Sequence, residues 1–231
     1  MMNENMKILA LIPAHNESTR IGAVIDAVRQ FLPVLVVDDG SSDDTSGVAR
    51  QHGASVVRQE PNQGKGAALL NGFGHFLAGD YDAVITLDAD GQHDPAEIPL
   101  FIDINQQDHC DLIIGQRNFR QMPFPRNYSN TIGTWMLSNA MGQYIPDNQS
   151  GYRLHSRRLV ESVINSQEHG FEFEVEIIFM CVVRGFELAW VPIRTIYAGQ
   201  ASHIKPLRHI KHFFRITRCA RELMRTKKQA R

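Results

Sequence analysis

Ala83-Val84-Ile85-Thr86-Leu87-Asp88-Ala89-Asp90-Gly91-Gln92-His93 is the stretch that decides how the chain is read. The apolar run Ala83–Leu87 has the length of a buried strand, and Gly91 with Asp94-Pro95 marks the turn that ends it. An extended chain repeats its side-chain direction every second residue. Asp88, Asp90 and Gln92 are therefore expected to present oxygen ligands on one side. Two carboxylates and an amide oxygen at the carboxyl end of a strand suit a hard divalent cation, Mg²⁺ or Mn²⁺, which could hold a diphosphate. The same residues also fit a polar turn with solvated carboxylates, so the rest of the chain has to decide.

Working outward, apolar strands alternate with helical patterns. Ile8–Ile12, Val34–Val37, Ala54–Val57, Ala83–Leu87 and Asp111–Ile114 read as strands, and Ser18–Gln30, Asp43–His52, Lys65–Ala78 and Pro95–Gln106 as helices. This alternation predicts an α/β fold, a mainly parallel sheet with helices on both faces. Ligands of such sheets bind beyond the carboxyl ends of the strands. Pro13–Glu17, Asp38–Asp43 and Asp88–Gln92 all fall at such ends. The second half is less regular, with helical patterns at Asn127–Met141, Arg157–Ile164 and Phe173–Val183 and a short strand at Glu187–Val191. No linker, repeat or low-complexity segment divides it.

The 231 residues suffice for one sizeable α/β domain with a terminal extension, and 43% hydrophobic with 21% charged residues is an ordinary globular composition. No run approaches the roughly 18 to 20 apolar residues that span a bilayer, and no signal peptide is recognised. Cys110, Cys181 and Cys219 lie far apart without metal-ligand spacing, which predicts reduced thiols and a cytoplasmic protein. The net charge of −1 hides an asymmetry: Ala201–Arg231 holds ten Lys/Arg and one acid, Glu222, for +9, leaving −10 on the rest. A basic tail on an acidic body implies an anionic partner.

In the first polar segment Pro13 is expected to stop the strand ladder, and Asn16 or Ser18 to cap the next helix. In the second, Asp38 and Asp39 precede Gly40-Ser41-Ser42; paired aspartates could bond a base or ribose, while Ser41 to Asp43 begin a helix. Gly64-Lys65-Gly66 is not a Walker A loop, because Gly66 stands where Ser or Thr is required and Gln59 where the upstream Gly is required. No GxGxxG follows the first strand, which argues against a nicotinamide or flavin site. The two glycines instead shape the start of a helix near the cleft.

Pro13-Ala14-His15-Asn16-Glu17, Val37-Asp38-Asp39-Gly40-Ser41, Gly64-Lys65-Gly66, Asp88–His93, Gly115-Gln116-Arg117 and Ser150-Gly151-Tyr152-Arg153, in this order, resemble family 2 glycosyltransferases. Within that family they are most similar to the dolichol- or polyprenol-phosphate mannosyltransferases. The resemblance implies a GT-A fold over residues 1–206, with 207–231 as a basic amphipathic extension. It implies an inverting transferase that takes a sugar from a GDP- or UDP-sugar. Asp88, Asp90 and Gln92 then match the metal and diphosphate ligands. Pro13, His15, Glu17, Val37 and Asp39, with Lys65, Asp88, Ala89, Arg194 and His203, match donor-binding positions. The electrostatics require a metal, because like unit charges about 4 Å apart repel by roughly 4 kcal/mol at an effective dielectric near 20. A divalent cation reverses that sign and stabilises the charge growing on the departing nucleoside diphosphate.

Asp90, Arg117 and Glu174 form the candidate catalytic set. Arg117 follows a buried strand and a Gly, where a guanidinium can reach a phosphate. Val191–Arg194 and Ala201–Ile204 match a phosphate-binding stretch of the mannosyltransferases that usually reads Ser-Lys; here His203 replaces the lysine, and Lys205 follows. Only a protonated histidine adds a positive charge. A phosphate acceptor, with a second pKa of about 6, needs no protein base at pH 7. A hydroxyl acceptor does, and Glu172, Glu174, Glu176 and Asp147 are the candidates. In a helix Glu172 and Glu176 share a face while Glu174 points elsewhere. In the tail, Ile204, Leu207, Ile210, Phe213 and Leu223 recur at roughly helical spacing among Lys and Arg. That pattern fits a helix lying on an anionic membrane, on its inner face, or one packed on the domain. No interleaved aromatic platform accompanies these charges, which argues against nucleic acid. The reading is a transferase to a polyprenyl phosphate or other membrane-associated acceptor. Its alternatives are transfer to a sugar or lipid hydroxyl, and a non-catalytic nucleotide-binding or membrane-surface protein.

Overall fold

A computed structural model of the chain describes residues 6–119, 126–168, 170, 172–194 and 196, with the backbone alone for 126–130. His203, Lys205, Cys219 and the expected 207–231 extension lie outside these residues. Seven strands form one sheet in the order β3-β2-β1-β4-β6-β5-β7. They are β1 (Ile8–Ala14), β2 (Val34–Asp39), β3 (Ser55–Gln59), β4 (Ala83–Thr86), β5 (Leu112–Arg117), β6 (Arg153–Ser156) and β7 (Leu188–Ile193). All pairings are parallel except those of β6, which runs antiparallel to both β4 and β5. The helices are α1 (Ile21–Val28), α2 (Thr45–Gln51), α3 (Lys65–Ala78), α4 (Ile98–Asp108, entered through a 3-10 turn at Pro95–Glu97), α5 (Arg126–Met141), α6 (Arg157–Val163) and α7 (Glu172–Arg184).

Side chains alternate along β1 and so build two cores. Ile8, Ala10 and Ile12 face a layer with Val24, Ile25 and Val28 of α1, Ala49 of α2 and Phe101 of α4. Leu9 and Leu11 face the other layer, with Phe73 and Phe76 of α3, Leu137 of α5, Val160 of α6 and Ile177 of α7. Helix α3 lies close on the sheet: a Cβ at Gly72 would stand 2.3 Å from Leu11 Cδ1. Fully burying one such large apolar side chain contributes about 1.5–3 kcal/mol, so these two layers are the main favourable term in the fold. The strand order reverses between β1 and β4, and the crevice beyond their carboxyl ends is where open α/β sheets bind ligands.

The structure departs from the sequence reading in definite places. Pro13 does not end β1: it pairs in register with Val37, and the strand runs to Ala14. Leu11 accepts from Leu87 N–H on the β4 side, so two residues on Pro13 faces that same side, past the last β1–β4 pair at Leu11↔Thr86. Its missing N–H therefore leaves no bond unmade. Neither Asn16 nor Ser18 caps α1, whose N-cap Arg20 makes no side-chain cap bond. Ser41–Asp43 precede rather than begin α2. Strand β6 was not expected at all, since Arg153-Leu154-His155-Ser156 lacks an apolar run. Among the described residues no helix is long and apolar enough to cross a membrane.

Candidate active site

Strand β4 stops at Thr86, whose hydroxyl donates to Gly151 O at 2.9 Å and fastens the start of β6 to it. Beyond it the backbone turns, with Gly91 at φ +76° and Gln92 N–H donating to Asp90 Oδ1 at 3.0 Å. Only a residue without a Cβ takes that φ at no steric cost. The expected extended arrangement of Asp88, Asp90 and Gln92 is thus corrected: the residues sit in a turn. Asp88 turns inward onto Lys65, its Oδ1 2.6 Å from Nζ. Its backbone N–H donates to Nδ1 of buried His93 at 3.2 Å, and His93 Nε2 lies 3.8 Å from Asp88 Oδ2. His93 stacks on Tyr152 at 5.1 Å between ring centroids, and Tyr152 on Phe101 at 4.4 Å, a rigid wall behind the turn. Asp90 stays half-buried, and its charge adds to burial in raising the Glu17 pKa against the opposing pull of Arg20.

Lys65 opens α3 directly after Gly64 at φ +97°, so the helix start aims its side chain into the crevice. Its Nζ also stands 3.2 Å from Glu174 Oε2, with only 6% of the Glu174 side chain exposed. Burial disfavours the ammonium, but Asp88 and Glu174 outweigh it and raise the Lys65 pKa. Burial likewise opposes the Asp88 charge, yet Lys65 and His93 hold that carboxyl well below the usual range. At Gly151 a Cβ would meet Asp88 Oδ1 at 2.7 Å and Lys65 Nζ at 2.9 Å, so the ion pair rests against that glycine. Helical geometry divides the three glutamates of α7 as expected. The odd one out, Glu174, is the one that points inward, while Glu176 accepts from Ser166 Oγ at 2.5 Å.

Arg117, at the carboxyl end of β5, grips fully buried Asp147 in a fork, Nε to Oδ2 at 2.7 Å and Nη2 to Oδ1 at 2.9 Å. Buried Arg153 donates from Nε to Ser150 O at 2.6 Å, from Nη1 to Glu174 O at 2.5 Å and from Nη2 to Asn148 O at 3.2 Å. One guanidinium thereby ties the segment before β6 to the start of α7, where Glu174 sits. Reading the sequence missed His93 and Arg153 as organising residues. Both stand inside quoted motifs, and that placement was the available signal.

On the β1–β2 side, exposed His15 shares a 2.9 Å hydrogen bond between Nδ1 and Asp39 O. Asn16, at φ +58°, accepts Ser42 N–H on Oδ1 at 2.8 Å, and Glu17 N–H donates to Thr45 Oγ1 at 2.9 Å. The Asp39 carboxylate accepts from Gln59 Nε2 at 2.7 Å, Gln63 N–H at 2.7 Å and Gly64 N–H at 2.8 Å. It therefore latches the loop that presents Lys65. Val37, Pro13 and Ala89 are buried, with Val37 and Ala89 packed in the two apolar layers. Arg194 donates its backbone N–H to Glu97 Oε1 at 2.9 Å, and Ile196 N–H to Gln92 O at 3.0 Å, which brings the end of β7 beside the turn.

Among the described residues no three His, Cys, Asp or Glu side chains gather as a closed metal cage. The hard oxygen donors that the turn carries are those of Asp88, Asp90 and Gln92. They fit Mg²⁺ or Mn²⁺, which keep waters and substrate phosphates in their shell and rarely take all-protein cages. A cavity of about 390 Å³ beside Tyr144, Phe186 and Trp190 lies at the amino-terminal end of β7, away from this chemistry.

The model of glycosyl transferase family 2 matches residues 10–164. The chain is 30% identical over 207 residues to a polyprenol monophosphomannose synthase of Mycolicibacterium smegmatis, covering 81% of this chain and 76% of that protein. It is also 30% identical over 192 residues to a dolichyl-phosphate hexose transferase of Haloferax volcanii, covering 80% and 81%. Among solved structures, glucosyl-3-phosphoglycerate synthase from Mycobacterium tuberculosis in complex with Mn²⁺ and uridine-diphosphate-glucose matches with a TM-score of 0.75 at 21% identity. That match covers 94% of this chain and 79% of that one, and the likeness is one of fold, GT-A.

Proposed function

The chain belongs to glycosyl transferase family 2 and is a glycosyltransferase, and on that premise we propose that it moves a sugar, with inversion, from a nucleotide-diphosphate sugar to the phosphate of a membrane-held polyprenyl phosphate. The observation that carries the acceptor class is the state of the two buried acids. Glu174 is held by Lys65 at 3.2 Å and Asp147 by Arg117 at 2.7 and 2.9 Å. Each carboxylate is thereby committed to a cation rather than open to a substrate hydroxyl. A hydroxyl nucleophile would need such a base; a phosphate dianion does not. The names of the relatives, a polyprenol monophosphomannose synthase and a dolichyl-phosphate hexose transferase, point the same way.

In this reading a phosphate oxygen of the acceptor attacks the anomeric carbon from the face opposite the diphosphate. The new C–O bond forms as the bond to the nucleoside diphosphate breaks, and the leaving group departs with the electron pair. Asp88, Asp90 and Gln92 would hold Mg²⁺ or Mn²⁺, which supplies charge neutralisation to the diphosphate. Lys65 adds a second positive charge at the same place, kept protonated by Asp88 and Glu174. His15, Glu17 and Asp39 serve the nucleoside, Arg194 the donor phosphates, and Arg117 the transfer itself. The donor is a GDP- or UDP-sugar, and the enzyme works at the cytoplasmic face of the membrane, aided by its basic extension.

The test is nucleotide release from a panel of GDP- and UDP-sugars with Mn²⁺ or Mg²⁺, with polyprenyl phosphate, the corresponding polyprenol, or no acceptor. Release that depends on the phosphate supports the reading; equal release with the alcohol overturns it.

A further inference from the structure

Asp88 has two claimants. It is one of the hard oxygen donors of the turn, and its Oδ1 lies 2.6 Å from the Lys65 ammonium. A carboxylate that accepts an ammonium at that distance offers a divalent cation one oxygen fewer and sets a like charge close beside it. The repulsion between a divalent and a monovalent cation is twice that of two unit charges at the same separation. Lys65 and a divalent cation therefore compete for the same side chain.

The second partner of Lys65 governs that competition. Glu174 Oε2 stands 3.2 Å from Nζ, and only 6% of the Glu174 side chain is exposed, against 30% for Asp88. Of the two carboxylates, Asp88 is thus the one that a ligand can reach. Glu174 sits in the first turn of α7, where a helix N-terminus favours a negative charge. Its backbone carbonyl is held by buried Arg153, which also holds the carbonyls of Asn148 and Ser150. The buried anchor is therefore fixed to the frame of the site. Lys65 is the first residue of α3, so its backbone is fixed as well. Its flexible four-carbon stem still lets the ammonium move between neighbouring acceptors.

We infer that Glu174 is the positioning residue of Lys65: it retains the ammonium when Asp88 turns to a divalent cation, and the pair thereby makes metal and diphosphate bind as a unit. With a diphosphate between them the two cations no longer oppose each other, because each faces phosphate oxygens. Lys65 then exchanges Asp88 for a phosphate oxygen and keeps Glu174. Lacking a diphosphate, the ammonium stays on Asp88 and weakens its hold on metal. The inference rests on the donor-site reading above and describes how that site is loaded.

The experiment uses the full chain. Mn²⁺ affinity is measured by electron paramagnetic resonance, alone and with GDP or UDP, corrected for the Mn²⁺ that free nucleotide binds. Calorimetry gives nucleotide affinity with and without Mn²⁺. By linkage, nucleotide must tighten Mn²⁺ by the same factor as Mn²⁺ tightens nucleotide, which defines one coupling factor. Glu174→Gln leaves the ammonium to Asp88 and should weaken the binding of Mn²⁺ alone by about tenfold. Lys65→Met with Glu174→Gln removes one charge of each sign, so the net charge of the site stays that of the parent. This double variant should nevertheless bind Mn²⁺ alone about tenfold more tightly and show a coupling factor about tenfold smaller. A merely structural Glu174 would not give these opposite signs, because loosened packing weakens binding in both variants. A double variant that binds Mn²⁺ alone no more tightly than the parent would overturn the inference. Unchanged Mn²⁺ affinity in Glu174→Gln would do so too, and that variant decides by itself should the double variant not fold. A parent protein that binds neither Mn²⁺ nor nucleotide would sink the donor-site reading and this inference with it. Coupled binding in the parent with the wrong order among the variants would refute this inference alone.

Discussion

Replacing Lys65 with Met keeps the side-chain length and deletes the ammonium that stands between two carboxylates. In the parent that ammonium lies 2.6 Å from Asp88 and 3.2 Å from Glu174. Removing one partner of a buried ion pair costs about 3–5 kcal/mol, chiefly because a charge is left uncompensated. Glu174, with 6% of its side chain exposed, feels this in full, whereas Asp88, 30% exposed, recovers part of its solvation from water. The lower end, about 3 kcal/mol, is therefore expected. Followed by circular dichroism in urea, with a slope of about 3 kcal/mol per molar, the midpoint should fall by about 1 M. Adding Glu174→Gln to Lys65→Met should recover about 1–3 kcal/mol, because the stranded charge goes with it. A Lys65→Met protein within about 0.5 kcal/mol of the parent would refute the reasoning, as would a Glu174→Gln change that destabilises equally in both backgrounds.

Gly151→Ala places a methyl 2.7 Å from Asp88 Oδ1 and 2.9 Å from Lys65 Nζ. Overpacking of this kind costs about 1–3 kcal/mol, so both the thermal midpoint and the calorimetric affinity for nucleoside diphosphate should drop. Asp90→Asn should remove most of the Mn²⁺ dependence of that binding while the fold persists; an unchanged metal dependence would reassign the ligand. Asp43 is the clearest pH probe. Partial burial opposes its charge, but hydrogen bonds from Thr45 and Ser18 outweigh it and lower its pKa to about 2, against 3.8 ordinarily. A depressed folded pKa means stability that is present above about pH 4 and lost as pH falls toward 2. After solvent screening this amounts to about 1 kcal/mol. Asp43→Asn should therefore destabilise the protein at pH 6 and flatten the acid limb of its stability curve.

How much of this was legible in the sequence depended on what each segment does. Helix α3 was bounded correctly at Lys65–Ala78 because Gly64 and Gly79 punctuate it from outside. The parallel strands were legible because strands buried on both faces read as apolar runs. Strand β6 was not, because Arg153 and His155 stand in the core, and the carbonyls of Asn148, Ser150 and Glu174 that satisfy Arg153 have no sequence signature. The site segments were found by order and spacing, yet the roles inside them were not. Extended geometry was assumed through Asp88–Gln92, and Gly91 at positive φ folds that stretch into a turn. Glu174 was distinguishable from its neighbours by helical phase; that its phase points at Lys65 depends on how α7 packs against α3, a tertiary fact. Asp39 looked like a nucleotide ligand and proves to latch the Gln63–Gly64 loop as well.

The central claim is that the nucleophile is a phosphate oxygen and that no protein carboxylate is needed to activate it. The most direct measurement is the linkage in the product made from a nucleotide sugar and polyprenyl phosphate, read by phosphorus NMR and mass spectrometry. The account predicts a phosphodiester joining the anomeric carbon to the prenyl phosphate, with inverted anomeric configuration. A glycoside on a hydroxyl, with the phosphate left as a monoester, would contradict it.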